Sequence, residues 1–150
     1  MPYRHTAKTE AERRLAFFEA LHKEDLHQLA DRLLGDEPEA IELCVAFIEA
    51  DTRGNWHGRA RAMMARRLKH CTLSTQQQTR LITAILGRFV SGNFAEQFKD
   101  QIRLVLHLHA AQVFAVARNC LAHPLDYPQA HVRRYAAWIL AHAQQKPAQD

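Results

Sequence analysis

Residues 53–70 read RGNWHGRARAMMARRLKH, with five arginines, one lysine and two histidines in eighteen positions around Trp56, Met63 and Met64. An arginine head is a planar fork of donors that holds phosphate or carboxylate through two hydrogen bonds, so the chemistry available here is anion contact. On a helical wheel at about 100° per residue, Trp56, Ala60, Met63, Met64 and Leu68 form an apolar arc. Arg59, Arg66 and His70 gather along one edge of it, Arg61 lies at the other edge, and Lys69 faces away. Arg67 falls inside the arc, so it must reach out to solvent or find a buried partner. The plainer reading is that these arginines cover apolar surface with their stems and pair with acids of adjacent helices.

Charge balance favours a surface. The formal charge of +4 hides a division: residues 1–51 carry twelve acids and six Lys/Arg, and residues 52–150 carry four acids and fourteen Lys/Arg. Such asymmetry concerns partners rather than fold. Four local acids leave most of the downstream cations without a local counter-charge. Further along, Lys99 and Arg103 stand four residues apart, although Glu96 and Asp100 lie close enough to pair with them. Arg133 and Arg134 follow, then Trp138 and His142, with Arg134, Trp138 and His142 off the main apolar stripe and Tyr135 close by. An indole so placed is either a second packed face or an exposed aromatic–arginine patch suited to a protein partner or a base.

Other chemistries lack their residues. Of ten histidines, His107 and His109 are one residue apart and diverge on a helix; no His-x-x-x-His pair has a supporting acid, and no Cys-x-x-Cys exists. No metal or cofactor is expected. Ser74 and Ser91 are the only serines, both at helix boundaries, and neither a G-x-S-x-G elbow nor a glycine-rich phosphate loop occurs. Cys44, Cys71 and Cys120 are odd in number and widely spaced, which predicts reduced thiols in a cytoplasmic protein. No apolar run approaches a membrane span, and the N-terminal residues lack the apolar region of a signal peptide.

The elements that must position the basic residues are all helical. With 47% apolar residues and five each of glycine and proline, 150 residues suit one packed domain. Its expected extent is 9–145, between a flexible arm 1–8 and a flexible tail 146–150. Thr9-x-x-Glu12 and Ser74-x-x-Gln77 are capping boxes, and Asp36-Glu37-Pro38-Glu39 supplies an N-cap acid and an early proline. Apolar stripes fall at Leu15, Phe18 and Leu21, then Leu26, Leu29, Leu33 and Leu34, then Ile41, Cys44, Val45 and Ile48. They continue at Leu81, Ile82, Ile85, Leu86 and Phe89, at Phe94, Phe98, Ile102 and Val105, and at Val132, Ala136, Ile139 and Ala143. Helices are predicted over 94–108 and from about Ala110 to His123. About eight helices in antiparallel pairs result, with a compact bundle as the competing arrangement.

Second members of the pairs begin near Leu26, Asn55, Phe94 and Pro128, a loose period suited to stacked helical hairpins. In the last pair, Asp126 in the turn precedes HVRRYAAWILAHA, with Val132-Arg133 ahead of small and aliphatic residues. This resembles the second helix of a HEAT repeat. Phe98-Lys99 and Gly58-Arg59 occupy the corresponding place in earlier pairs, though Gly58 replaces an apolar residue and Asn93 stands near the turn-aspartate position. The resemblance covers residues 37 to 144 and implies a short α-solenoid whose second helices line the inner surface. A HEAT-like DNA-modifying enzyme would need a catalytic acid beside aromatics, for which Asp126 with Tyr127 and Trp138 is the available set.

The expectation is therefore a non-enzymatic adaptor whose basic helical surface binds an acidic protein. Its contacts would be drawn from Arg59, Arg66, His70, Lys99, Arg103, Arg133, Arg134 and Trp138. Binding of a nucleic-acid backbone is the alternative. Self-association is expected either head to tail, between the oppositely charged ends, or as a symmetric dimer through the C-terminal helix.

Overall fold

A computed structural model describes residues 9–145; the expected arm 1–8 and tail 146–150 lie outside it. The fold is all-α, with seven α-helices and no strand among the described residues: α1 (Glu10–Glu19), α2 (Lys23–Arg32), α3 (Pro38–Ala50), α4 (His57–Leu68), α5 (Thr75–Ser91), α6 (Lys99–Ala122) and α7 (Ala130–Gln145). The eighth expected helix is the second arm of α6. At His109 the backbone leaves the helical region (φ −158°, ψ 73°), at the predicted break. There the His109 Nδ1 accepts the Gln112 N–H at 3.2 Å, a side-chain cap for the arm that follows.

Local chemistry sets the boundaries. Thr9 and Ser74 close capping boxes with Glu12 and Gln77, and Pro38 opens α3. Asp36 does not cap α3 as expected. It ends a 3-10 turn, Leu33–Gly35, in the left-handed region (φ 55°), and Glu37 takes the N-cap position. Its carboxylate instead accepts the Thr72 N–H and hydroxyl, both at 2.8 Å, which tie the α4–α5 turn to the α2–α3 turn. Those bonds hold the Asp36 carboxyl below its usual range. The stretch expected to begin a helix at Phe94 forms a 3-10 turn at Glu96–Phe98 first, and α7 starts two residues beyond Pro128.

Besides sequential neighbours, contacts join alternate helices: α1 to α3 to α5 in one layer, and α2 to α4 to α6 in the other. The second arm of α6 and α7 complete the last pair. One core unites them, with Phe18, Phe47, Phe89, Met64, Leu68, Ile102 and Ile139 fully buried. The stripes on α3 and α5 are buried throughout, whereas Leu15 and Leu34 are exposed, Leu34 at 72%. The side chains of Glu96 and Ala143 lie outside the described set. Contrary to the sequence reading, α6 is long and apolar enough by composition for a membrane span. The break at His109 divides it, and Gln101, Ile102, Leu104 and Val105 of its first arm are buried in the core.

A buried histidine joins the first two pairs. His57 Nε2–H donates to the Leu21 carbonyl at 2.9 Å, which leaves Nδ1 to accept the Thr52 hydroxyl at 2.6 Å. Gly54 is required beside it, because a Cβ there would stand 2.7 Å from the imidazole.

Candidate functional site

Most acids of the N-terminal third are spent within the chain. Arg80 bridges Glu42 at 2.9 Å and Glu49 at 2.6 Å, and Arg67 reaches Asp31 at 3.0 Å. Asp51, left-handed at φ 52°, meets Arg53 at 3.0 Å, Arg88 at 3.4 Å and Arg61 at 3.5 Å. The shortage of local acids downstream is thus met from upstream, as in the plainer reading. Arg61 is not an edge residue. It is buried, donates to the Thr52 carbonyl, and burial pushes its pKa down to about 10. Arg88 donates to the Ile48 and Glu49 carbonyls at the end of α3, where the helix dipole is negative. The wheel could not separate Arg61 from its neighbours, because its counter-ion comes from the preceding turn rather than from its own helix.

What remains is concentrated along the layer of second helices. A cleft of about 340 Å³ lies between α2, α4 and α6, lined by His27, Trp56, Arg59, Met63, Arg66, Lys99 and Asp100 among others. Lys99 also lines a cleft of about 560 Å³, with Phe94, His131, Arg134 and Tyr135. Arg103, one turn beyond Lys99, opens a third cleft of about 260 Å³ with Lys69, Leu106, His107, Phe114 and His142. Among the described residues, Asp100 is the only acid lining any of the three. Its carboxylate is shared, accepting Arg66 Nη1 at 2.7 Å and Arg103 Nη1 at 3.2 Å. Arg59, Lys69 and Arg134 have no bonded partner among the described residues.

Six of the eight expected residues are therefore brought together: Arg59, Arg66, Lys99, Arg103, Arg134 and Trp138. The indole of Trp138 lies beneath Lys99 Nζ at 5.0 Å and the Arg103 guanidinium at 5.3 Å, so cations from α6 are stacked on an aromatic of α7. His70 is exposed at the end of α4 and lines none of these clefts. Arg133 turns back to its own loop, donating to the Tyr127 carbonyl at 2.7 Å. Asp126 is exposed in the α6–α7 turn and lines none of the three clefts.

Sequence reasoning missed Lys69, His107, Phe94 and the state of Trp56. Lys69 sits at the C-cap of α4, where a wheel angle no longer fixes direction. Trp56 is not a simple member of the apolar arc. It is the N-cap of α4 in the left-handed region (φ 70°, ψ −1°), a conformation costing a bulky residue about 1–2 kcal/mol. Its ring is half-buried, 4.6 Å from that of His27, with Lys23 Nζ 5.6 Å away. No sequence signal marks that backbone, since glycine or asparagine is the usual occupant.

Cys44 and Cys120 are buried and Cys71 half-buried; burial pushes Cys44 up to about 12, and Cys71 and Cys120 are also raised. Among the described residues no group of three or more His, Cys, Asp or Glu could hold a metal ion. No protein-family model, curated protein or solved structure matches the chain.

Proposed function

We propose that this chain is a non-enzymatic adaptor that holds an acidic segment of another protein along its second helices, on a HEAT-like scaffold. The observation that carries the reading is the charge of the three clefts: cations from α4, α6 and α7 line them, against a single carboxylate, Asp100, among the described residues. The next-but-one helix contacts support the scaffold, because stacking of hairpins places successive second helices side by side.

A protein segment fits better than a nucleic acid. Each cleft pairs its cations with apolar walls: Trp56 and Met63, Phe94 and Tyr135, or Leu106 and Phe114. Such walls suit side chains that alternate apolar and acidic character. The aromatic rings are engaged within the protein, Phe94 stacked on Phe98 at 4.5 Å and Trp138 under two cations, which removes the platforms that unpaired bases use.

The test is direct. A labelled acidic helical peptide and a labelled DNA duplex are titrated with wild-type protein and the charge-reversed variant Lys99→Glu/Arg134→Glu. Wild type should prefer the peptide, and the variant should lose at least about tenfold in affinity, since oppositely charged contacts become repulsive. Tighter duplex binding with a steep salt dependence would transfer the function to nucleic acid.

A further inference from the structure

We propose that the 340 Å³ cleft beside Trp56 is the anchor of this surface, receiving one apolar side chain and a neighbouring carboxylate from the partner segment. The inference rests on the groove reading and adds where and how the partner is gripped. Two independent features mark this cleft. Trp56 holds a left-handed backbone, which glycine or asparagine would adopt without strain, and yet a large aromatic stands there with its ring only half-buried. Arg59, less than one turn into α4, is exposed and has no bonded partner among the described residues. One side of the Trp56 ring packs on the core and on His27, but the part left exposed at the cleft and the unpaired guanidinium beside it meet no group among the described residues, and recognition of a partner accounts for both.

The chemistry of the occupant follows from the walls. Ala62 and Met63, almost fully buried, form an apolar floor with the Trp56 ring, and methionine adapts its shape to an inserted side chain. Arg59 stands at the same cleft with its full set of donors, and Arg66 is held in place by Asp100. A leucine or phenylalanine with a glutamate one helical turn away would set its apolar group on the floor and its carboxylate on Arg59. Aromatic and arginine groups flanking a pocket are also the types that dominate binding energy at interfaces.

The probe is a fluorescein-labelled helical peptide of about twenty residues, with leucine and glutamate four apart along one face. Its binding is followed by anisotropy to wild type, Trp56→Asn, Arg59→Gln and Lys99→Glu/Arg134→Glu, with thermal melts of each. Asparagine keeps the left-handed backbone, so Trp56→Asn should remain folded while its affinity falls about tenfold. Arg59→Gln should cost about fivefold. A peptide with leucine changed to alanine should no longer sense Trp56→Asn, and one with glutamate changed to glutamine should no longer sense Arg59→Gln. Wild-type affinity in both single variants, alongside loss in Lys99→Glu/Arg134→Glu, would overturn the anchor and leave the groove standing. No binding by wild type, or none of the variants differing from it, would overturn both.

Discussion

Asp51 decides the fate of three guanidiniums. Its carboxylate faces Arg53, Arg61 and Arg88, two of which are largely buried, and the last turn of α3 supplies further oxygens from Ile48 and Glu49. Asparagine accepts the same left-handed backbone, so Asp51→Asn removes charge without altering conformation. Three cations would then share a site whose nearest remaining carboxylate, Glu49, is bonded to Arg80, and stability should fall by about 3 kcal/mol, read from urea unfolding. Arg53→Gln, at an exposed member of the cluster, should stay within about 0.5 kcal/mol. Asp100 gives the complementary case in the binding surface. Asp100→Asn releases Arg66 and Arg103 and removes the one negative group lining the clefts among the described residues, so an acidic peptide should bind several-fold tighter by anisotropy. Weaker binding would mean that Asp100 chiefly positions Arg66.

Helices are held in register by polar ties between turns and between neighbours in one layer. Arg80 of α5 joins Glu42 and Glu49 of α3, and Asp36 joins Thr72 across two turns. The Arg80 hydrogen bond holds the Glu42 carboxyl below its usual range, as the Thr72 hydrogen bonds do for Asp36. A carboxyl depressed in the folded state contributes stability that is complete above its unfolded pKa, about 4, and lost as pH falls through the lower folded value. Unfolding free energy should therefore decline on acidification below about pH 4. Glu42→Gln should flatten that decline and cost no more than about 1 kcal/mol at neutral pH, because the pair is half-exposed. Urea titrations from neutral to acidic pH measure both effects. Helices were readable wherever a start signal and a 3.6-residue stripe coincided, the capping box in α5 and the early proline in α3. Where the backbone turned left-handed without glycine, at Asp36 and Trp56, pattern alone misplaced the boundary, since either residue also reads as ordinary helix-start or core material.

At the scale of the whole molecule, counting charge along the chain misjudged the balance. Counting acids by position along the chain left the downstream cations, Arg61, Arg67, Arg80 and Arg88 among them, without a local counter-charge. Folding instead brings Asp31, Glu42, Glu49 and Asp51 against them. Arg59, Lys99 and Arg134 form no ion pair among the described residues. The same pairing bears on self-association. A head-to-tail contact needs an acidic end free to meet a basic one, and those four acids are already neutralised inside the protomer. Trp138, the candidate centre of a symmetric contact through α7, is covered by Lys99 and Arg103, whose charges would repel their copies across a two-fold axis. Sedimentation equilibrium should thus give the protomer mass at both low and high salt. An assembly that dissociates as salt is added would show that acids outside these pairs still drive association. One that persists in salt would place apolar surface of α7 in an interface.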